Sequence, residues 1–90
     1  MSRYYYSPCM KDIIRYILKY YNDPEHLPTP SWKVLHVKLH SRYSKERIDG
    51  NIEQLLEDKI LTEYGEYDYL DFTGGFIRSE DYKKFEKTVK

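Results

Sequence analysis

The stretch Ser44–Leu61, SKERIDGNIEQLLEDKIL, joins a helix pattern directly to the start of a strand pattern. Ser44 is a favoured residue for capping the N-terminus of a helix. The apolar residues after it recur at i, i+4, i+7 and i+8, the spacing of one helix face. They are Ile48, Ile52, Leu55 and Leu56. This pattern predicts a helix over about residues 45–58. Gly50 lies in its interior, where glycine costs about 1 kcal/mol relative to alanine.

A β-hairpin is predicted over about residues 60–72, immediately after this helix. Two runs rich in β-favouring residues, ILTEY and YDYLDF, flank Gly65-Glu66. A two-residue loop that begins with glycine is typical of a tight hairpin turn. In that register the facing pairs are Tyr64 with Tyr67, Thr62 with Tyr69, Leu61 with Leu70, and Glu63 with Asp68.

Helices are also predicted on both sides of this region. Ser7-Pro8 and Thr29-Pro30 each place a capping hydroxyl before a proline, which is a helix-start signal. The residues after Thr29-Pro30 also alternate between apolar and polar, as in a strand, but the start signal favours a helix. Gly74-Gly75 is interpreted as a hinge, and Ser79 as the cap of a last helix. The three helices are predicted over about residues 8–22, 30–40 and 79–88.

This order of elements resembles that of the winged helix-turn-helix superfamily. The resemblance covers about residues 8–73, and its most specific part is Ser44–Leu61, which is similar to the third helix and first wing strand of that family. Many members have glycine where the chain leaves the third helix; Asp58-Lys59 stand there in this sequence. The resemblance implies an α+β fold with a three-helix core, a two-stranded hairpin wing and a C-terminal helix. A single domain over residues 1–90 is expected.

The resemblance also implies double-stranded DNA as the ligand, and a small transcriptional regulator as the function. The third helix of the family lies in the major groove with its N-terminal residues near base edges. The implied base-reading positions are Ser44, Lys45, Arg47, Asn51 and Gln54, and the implied phosphate contacts are Lys33, Lys38 and Arg42.

The positive charge of residues 1–50 supports DNA binding, whereas the negative charge of residues 51–82 opposes it. The chain has 15 basic and 15 acidic residues, so its formal net charge is zero. Residues 1–50 carry a net +4, residues 51–82 a net −7 and residues 83–90 a net +3. The acids include the outward positions of the third helix and the hairpin, which phosphates would repel. These acids are Glu46, Glu53, Glu57, Glu63, Glu66, Asp68 and Asp71. The alternative is therefore a protein–protein interaction module that uses the acidic wing and helix face.

Several functional classes lack support in the sequence. No nucleophile elbow, phosphate-binding glycine loop or acid–base pair is present, so we expect no enzymatic activity and no cofactor. His36 and His40 have an i, i+4 spacing that suits zinc, but no third ligand lies nearby, so no metal is predicted. No apolar run is long enough for a transmembrane helix or a secretory signal, and the single cysteine, Cys9, suits a reducing compartment. A cytoplasmic location without membrane contact is expected.

Two features at the N-terminus leave alternatives open. Tyr4-Tyr5-Tyr6 is consistent with a homodimer contact or with packing on the core. Cys9 lies in the first turn of the first helix, where a thiol pKa can be lowered. A structural or incidental cysteine is the favoured interpretation, because no second cysteine or histidine is close in sequence.

Overall fold

The computed structural model describes residues 6–21 and 29–88. They form an α+β fold whose order is compatible with a winged-helix layout. The elements are α1 Pro8–Tyr21, α2 Trp32–Leu39, α3 Lys45–Glu57, β1 Leu61–Tyr64, β2 Tyr69–Phe72, α4 Gly74–Ile77 and α5 Glu80–Thr88. The four predicted helices are confirmed to within about two residues at each described end, as is usual for helix boundaries. The C-terminal limit predicted for α1 falls on Asn22, outside the described residues.

Serine hydroxyls begin four of the described helices: α1, α2, α3 and α5. The hydroxyl oxygen of Ser7 accepts a hydrogen bond from the Met10 backbone N–H at 3.2 Å, and that of Ser44 accepts from Arg47 at 3.2 Å. Ser79 accepts from the Tyr82 backbone N–H at 3.2 Å. Each satisfies a backbone donor that the first turn of a helix leaves without a partner.

The start of α2 differs from the prediction. Ser31, rather than Thr29, is the N-cap of α2, and its side chain accepts from the Val34 backbone N–H. Residues 30 and 31 instead pair with the hairpin: the Leu70 N–H donates to the Pro30 carbonyl at 2.9 Å, and Ser31 forms an antiparallel bridge with Tyr69. Ser31 is extended, with ψ of 175°, so the helix begins at Trp32.

The hairpin has a different register from the predicted one. The observed pairs are Leu61 with Phe72, Thr62 with Asp71, Glu63 with Leu70 and Tyr64 with Tyr69. The predicted two-residue turn and the predicted pairing of Glu63 with Asp68 are therefore wrong. The loop has four residues, and Gly65 and Asp68 adopt left-handed backbone conformations, with φ of 78° and 53°. Glycine and aspartate tolerate this conformation, so the longer loop suits the sequence.

A left-handed residue also ends α3. Lys59 has φ of 63°, at the position where many winged helices have glycine. The Ile60 N–H donates to the Leu55 carbonyl at 3.0 Å, and the Lys59 N–H donates to Leu56 at 3.1 Å. These two bonds are those of the Schellman motif, which turns the chain sharply out of a helix. The hairpin therefore starts directly at the end of α3.

One apolar core joins the helices and the hairpin. It contains Ile13 and Ile17 from α1, Leu35 from α2, Ile52 from α3 and Leu70 from β2, each with no exposed surface. Apolar side chains on these faces are removed from water, which is the main favourable contribution to folding.

Beyond the hairpin, Gly74-Gly75 begins the short helix α4 rather than forming a hinge. The Thr73 hydroxyl accepts from the Phe76 backbone N–H at 3.2 Å and donates to the Lys59 carbonyl. Because the Thr73 hydroxyl makes both hydrogen bonds, it holds the start of α4 against the end of α3. The ring centroid of Phe76 lies 5.3 Å from that of Phe72 in the core.

Tyr6 packs on the body of the protein. Its hydroxyl donates to Asp81 at 2.7 Å, and its ring meets Phe85 edge-on at 5.3 Å. Tyr6 therefore follows the core-packing alternative. Tyr4 and Tyr5 lie outside the described residues.

Candidate nucleic-acid interface

Helix α3 has one buried face and one acidic face. Ile48, Ile52 and Leu55 point into the core. The opposite side is exposed, as the helical periodicity predicts. It consists of Glu46, Gly50, Glu53 and Glu57. Apart from the neighbouring backbone of α3, no heavy atom of the described residues would lie within 4 Å of a Cβ added at Gly50. This outward face is therefore open and negatively charged.

A group of basic side chains surrounds Tyr43, in the turn before α3. The guanidinium carbons of Arg42 and Arg47 each lie 5.8 Å from the centroid of the Tyr43 ring. Such distances allow a cation–π attraction. The Tyr43 hydroxyl donates to Asp12 at 2.6 Å, and Arg42 forms an ion pair with the same carboxylate at 3.0 Å. Arg15 lies 3.9 Å from Asp12. We call these five residues the Tyr43 cluster.

The Tyr43 cluster carries more positive than negative charge. It has three guanidinium groups and one carboxylate, and Arg42 and Arg15 are the two that lie near Asp12. The hydrogen bond to Asp12 raises the pKa of Tyr43, and burial raises it further, so the phenol stays neutral at ordinary pH. Arg47 is exposed, and among the described residues it forms no ion pair. Its guanidinium donors therefore remain available to a ligand.

Cys9 lies beside this cluster and is buried. Burial raises the pKa of the Cys9 thiol, and nearby Arg47 only partly offsets that effect. The thiol has no exposed surface. The suggestion that the first helical turn lowers this pKa is therefore wrong, because burial disfavours the thiolate more than nearby Arg47 favours it.

Three of the predicted base-reading side chains are bonded within the fold. Asn51 donates to the Arg47 carbonyl at 2.6 Å and accepts from the Ser7 hydroxyl at 2.8 Å. Gln54 donates to Asp58 at 3.0 Å. Ser44 caps α3. Asn51 faces α1 rather than solvent because it lies on the flank of α3 next to the buried stripe.

The other flank of α3 carries a group of polar contacts that reaches His36 of α2. Lys45 donates to one carboxylate oxygen of Asp49 at 3.2 Å, and the His36 Nε2 lies 2.6 Å from the other. Burial raises the pKa of Asp49, but the hydrogen bonds from His36 and Lys45 outweigh it and lower the pKa overall. Lys45 is thus partly neutralised.

The remaining predicted contacts and the histidines lie on α2 and just beyond it. Lys33 and Lys38 are exposed on α2, outside the Tyr43 cluster, and His40 is exposed at the end of that helix. The part of the chain that the structure describes contains no group of three His, Cys, Asp or Glu side chains able to hold a metal ion.

Sequence reasoning missed the contacts that Trp32 and Tyr69 make at the hairpin. Trp32 Nε1 donates to Glu63 at 2.7 Å, so the start of α2 is tied to β1. The ring of Tyr69 lies 5.5 Å from that of Tyr64 and 6.1 Å from that of Tyr67. The available signal was the tryptophan indole N–H, which usually finds an acceptor when it is partly buried.

No helix within residues 6–21 and 29–88 combines the length and apolar character needed to cross a membrane. Comparison with protein-family models, curated proteins and solved structures gave no match to this chain.

Proposed function

We propose that this chain is a non-enzymatic winged-helix domain that binds double-stranded DNA through the N-terminal end of α3 and acts as a small transcriptional regulator. The observation that carries the proposal is the placement of Arg42 and Arg47 on one Tyr43 ring at the start of α3. Arginine at this position of a helix-turn-helix contacts base edges and phosphates.

The order of the elements supports the winged-helix assignment. Three helices precede a hairpin, and the segment before α2 pairs with β2 through Pro30 and Ser31. The left-handed Lys59 makes the exit from α3 that glycine makes in many winged helices. Fold alone does not decide function, so the DNA assignment depends on the Tyr43 cluster.

The roles of the predicted residues divide according to what their side chains already contact. Arg47 is the residue proposed to read a base, because a guanidinium can pair with both acceptors of guanine. The proposed phosphate contacts are Lys33, Lys38, Arg42 and Lys45. Because Ser44, Asn51 and Gln54 are bonded inside the fold, we assign them to orienting α3 rather than to reading bases.

The acidic groups require a tilted approach, with the N-terminal end of α3 leading. Helix α3 has 13 residues. At 1.5 Å per residue its two ends are about 20 Å apart. The Debye length is about 10 Å at 0.1 M salt, so repulsion from Glu57 is largely screened at the leading end. Glu46 is the carboxylate of the outward face that remains close to the DNA.

The proposal is tested by fluorescence anisotropy with a mixed-sequence duplex at two salt concentrations. Arg47→Ala is expected to weaken binding by about tenfold, the effect of one good base or phosphate contact, and to reduce the salt slope by about one. Lys84→Ala, an exposed lysine of α5, is the matched control and should change neither quantity substantially. Absence of binding at low salt, or equal effects of the two variants, would contradict the proposal.

Two variants that each remove one carboxylate test the tilted approach of α3 separately. Glu46→Gln removes a carboxylate at the leading end and is expected to strengthen DNA binding by about two- to fivefold at low salt. Glu57→Gln removes one at the far end and should have a smaller effect. A larger gain from Glu57→Gln would mean that the whole helix, rather than its N-terminal end, faces the duplex.

A further inference from the structure

The outer face of the hairpin carries three tyrosines. In the observed register Tyr64 and Tyr69 face each other on the side of the sheet that points away from Leu61 and Phe72. Tyr67 lies in the turn with its ring against Tyr69. Its exposed fraction is 69%, and that of Tyr64 is 43%. We call Tyr64, Tyr67 and Tyr69 the tyrosine face.

Two of these rings are held in place before any partner arrives. The Tyr64 hydroxyl lies 2.8 Å from that of Thr29, within hydrogen-bond distance. The Tyr69 ring lies over Gly65, where an added Cβ would come within 3.2 Å of it. Ordered aromatic side chains lose little conformational entropy on binding, so such surfaces favour tight contacts.

The surroundings of the tyrosine face are acidic. Residues 60–73 contain four acids and neither lysine nor arginine. Glu66 and Asp68 are exposed in the turn, and no ion pair reaches either from the described parts of the chain. Asp71 lies on the same side of the sheet as Tyr64 and Tyr69. A partner for this face must therefore neutralise carboxylates as well as cover aromatic rings.

We infer that the tyrosine face binds an arginine- or lysine-rich segment of a partner protein. A guanidinium or ammonium group can lie over a tyrosine ring while it pairs with a neighbouring carboxylate. A purely apolar partner would desolvate Glu66 and Asp68 without compensation, and an anionic partner would be repelled by them. Charge complementarity thus selects a basic segment. This inference is independent of the proposed DNA binding, because it concerns the opposite end of α3.

The test uses a fluorescein-labelled peptide of about twelve residues with alternating arginine and serine, measured by anisotropy against the full chain. Tyr67→Ala is expected to weaken binding by about three- to thirtyfold, the range of a cation–π contact. The double variant Glu66→Gln, Asp68→Asn should weaken binding and reduce its salt dependence. Asparagine keeps access to the left-handed conformation of residue 68. An otherwise identical peptide with glutamate in place of arginine should not bind.

The matched control is the double variant Glu53→Gln, Glu57→Gln, which removes the same charge from the exposed face of α3. It should leave peptide binding within about twofold of the unmodified chain, because neither carboxylate belongs to the hairpin that carries the tyrosine face. Equal losses of peptide affinity in the two double variants would mean that general charge attraction explains the binding. That result would overturn the inference. Unchanged binding by Tyr67→Ala would also overturn it.

A second copy of this chain is the other candidate to cover the tyrosine face. Sedimentation velocity of the chain alone distinguishes it from a different partner protein. A concentration-independent species near 11.0 kDa supports a face open to a different protein. A dimer that Tyr67→Ala dissociates would assign the face to a second copy of this chain and would overturn the choice of a basic partner protein.

Discussion

The N-terminal end of α3 and the hairpin that follows its C-terminal end both present tyrosine rings, but in opposite electrostatic surroundings. Tyr43 lies between Arg42 and Arg47. Tyr67 lies between the carboxylates of Glu66 and Asp68 in sequence, in a segment without a basic residue. A tyrosine ring contacts many kinds of ligand, so the charges around it decide which one binds. The net charge of zero therefore reflects two differently charged surfaces rather than a neutral one.

The hairpin and the Tyr43 cluster are also stabilised by different kinds of contact. The hairpin is fixed by buried apolar side chains, including Leu61, Leu70 and Phe72, each at most 5% exposed. The Tyr43 cluster is fixed by polar contacts that converge on Asp12. Large core side chains contribute more to stability than partly exposed polar contacts do, so substitutions at the hairpin should have the larger effects.

The largest effect is expected from Leu70→Ala. This side chain has no exposed surface, and its removal should lower the free energy of unfolding by about 2–5 kcal/mol, the range for leucine in a core. Urea denaturation followed by circular dichroism measures the change. Thr62→Ala, an exposed substitution on the neighbouring strand, should change the free energy of unfolding by less than about 0.5 kcal/mol. A loss below about 1 kcal/mol for Leu70→Ala would contradict the buried placement of β2.

A smaller effect is expected from Asp12→Ala at the other end. It leaves the Tyr43 hydroxyl and Arg42 without their shared acceptor, and the free energy of unfolding should fall by about 1–2 kcal/mol. Tyr43→Phe removes one of the two contacts and should have a smaller effect. If Asp12→Ala were as stable as the unmodified chain in urea, the convergence of the cluster on this carboxylate would be wrong.

Substitution of glycine by alanine should change the free energy of unfolding in opposite directions at Gly50 and Gly65. Gly50→Ala, on the open face of α3, should raise the free energy of unfolding by about 1 kcal/mol through helix propensity. Gly65→Ala should lower it by about 1–2 kcal/mol, because φ of 78° is strained for alanine and the Tyr69 ring lies close. Thermal unfolding measures both variants. Shifts of the same sign would show that one of these backbone conformations is incorrectly assigned.

The smallest expected effect is a pH dependence at Asp49. Its pKa is lowered in the folded protein, so its contribution to stability is present above the ordinary value of 3.8 and is lost as the pH falls through the lower folded value. Asp49→Asn should therefore destabilise the protein at neutral pH more than at pH 3. Asp68→Asn, in the hairpin, has no such ion pair and serves as control. Denaturant midpoints at the two pH values measure the change. An equal loss of stability from Asp49→Asn at both pH values would exclude this linkage.

The sequence predicted the helices well because their apolar stripes and caps are local signals. It also predicted the hairpin, yet it missed the hairpin register by two residues. A shift of two leaves every side chain on the same face, so hydrophobic alternation cannot detect it. The choice depends on how Leu61 and Phe72 meet over the core, which is a tertiary property.

The candidate site was predicted less completely than the fold. Residue type identified Arg42 and Arg47, but it could not show that they share the Tyr43 ring. Asn51 had the right chemistry for reading adenine, yet its amide is used by Ser7 and by the Arg47 carbonyl. Such competition arises only when α1 packs beside α3, so no local pattern in the sequence reports it.

Ile60 connects the two surfaces mechanically. Its N–H is bonded to the Leu55 carbonyl in α3, and its carbonyl accepts from the Thr73 N–H beyond β2. Rotation of the hairpin against α3 would break these bonds, so they oppose a change in the spacing between the two surfaces. If both surfaces bind as proposed, a partner docked on the tyrosine face stays beside the DNA held by α3. Its effective concentration there would reach about the millimolar range typical of short tethers, without any direct contact between the two ligands.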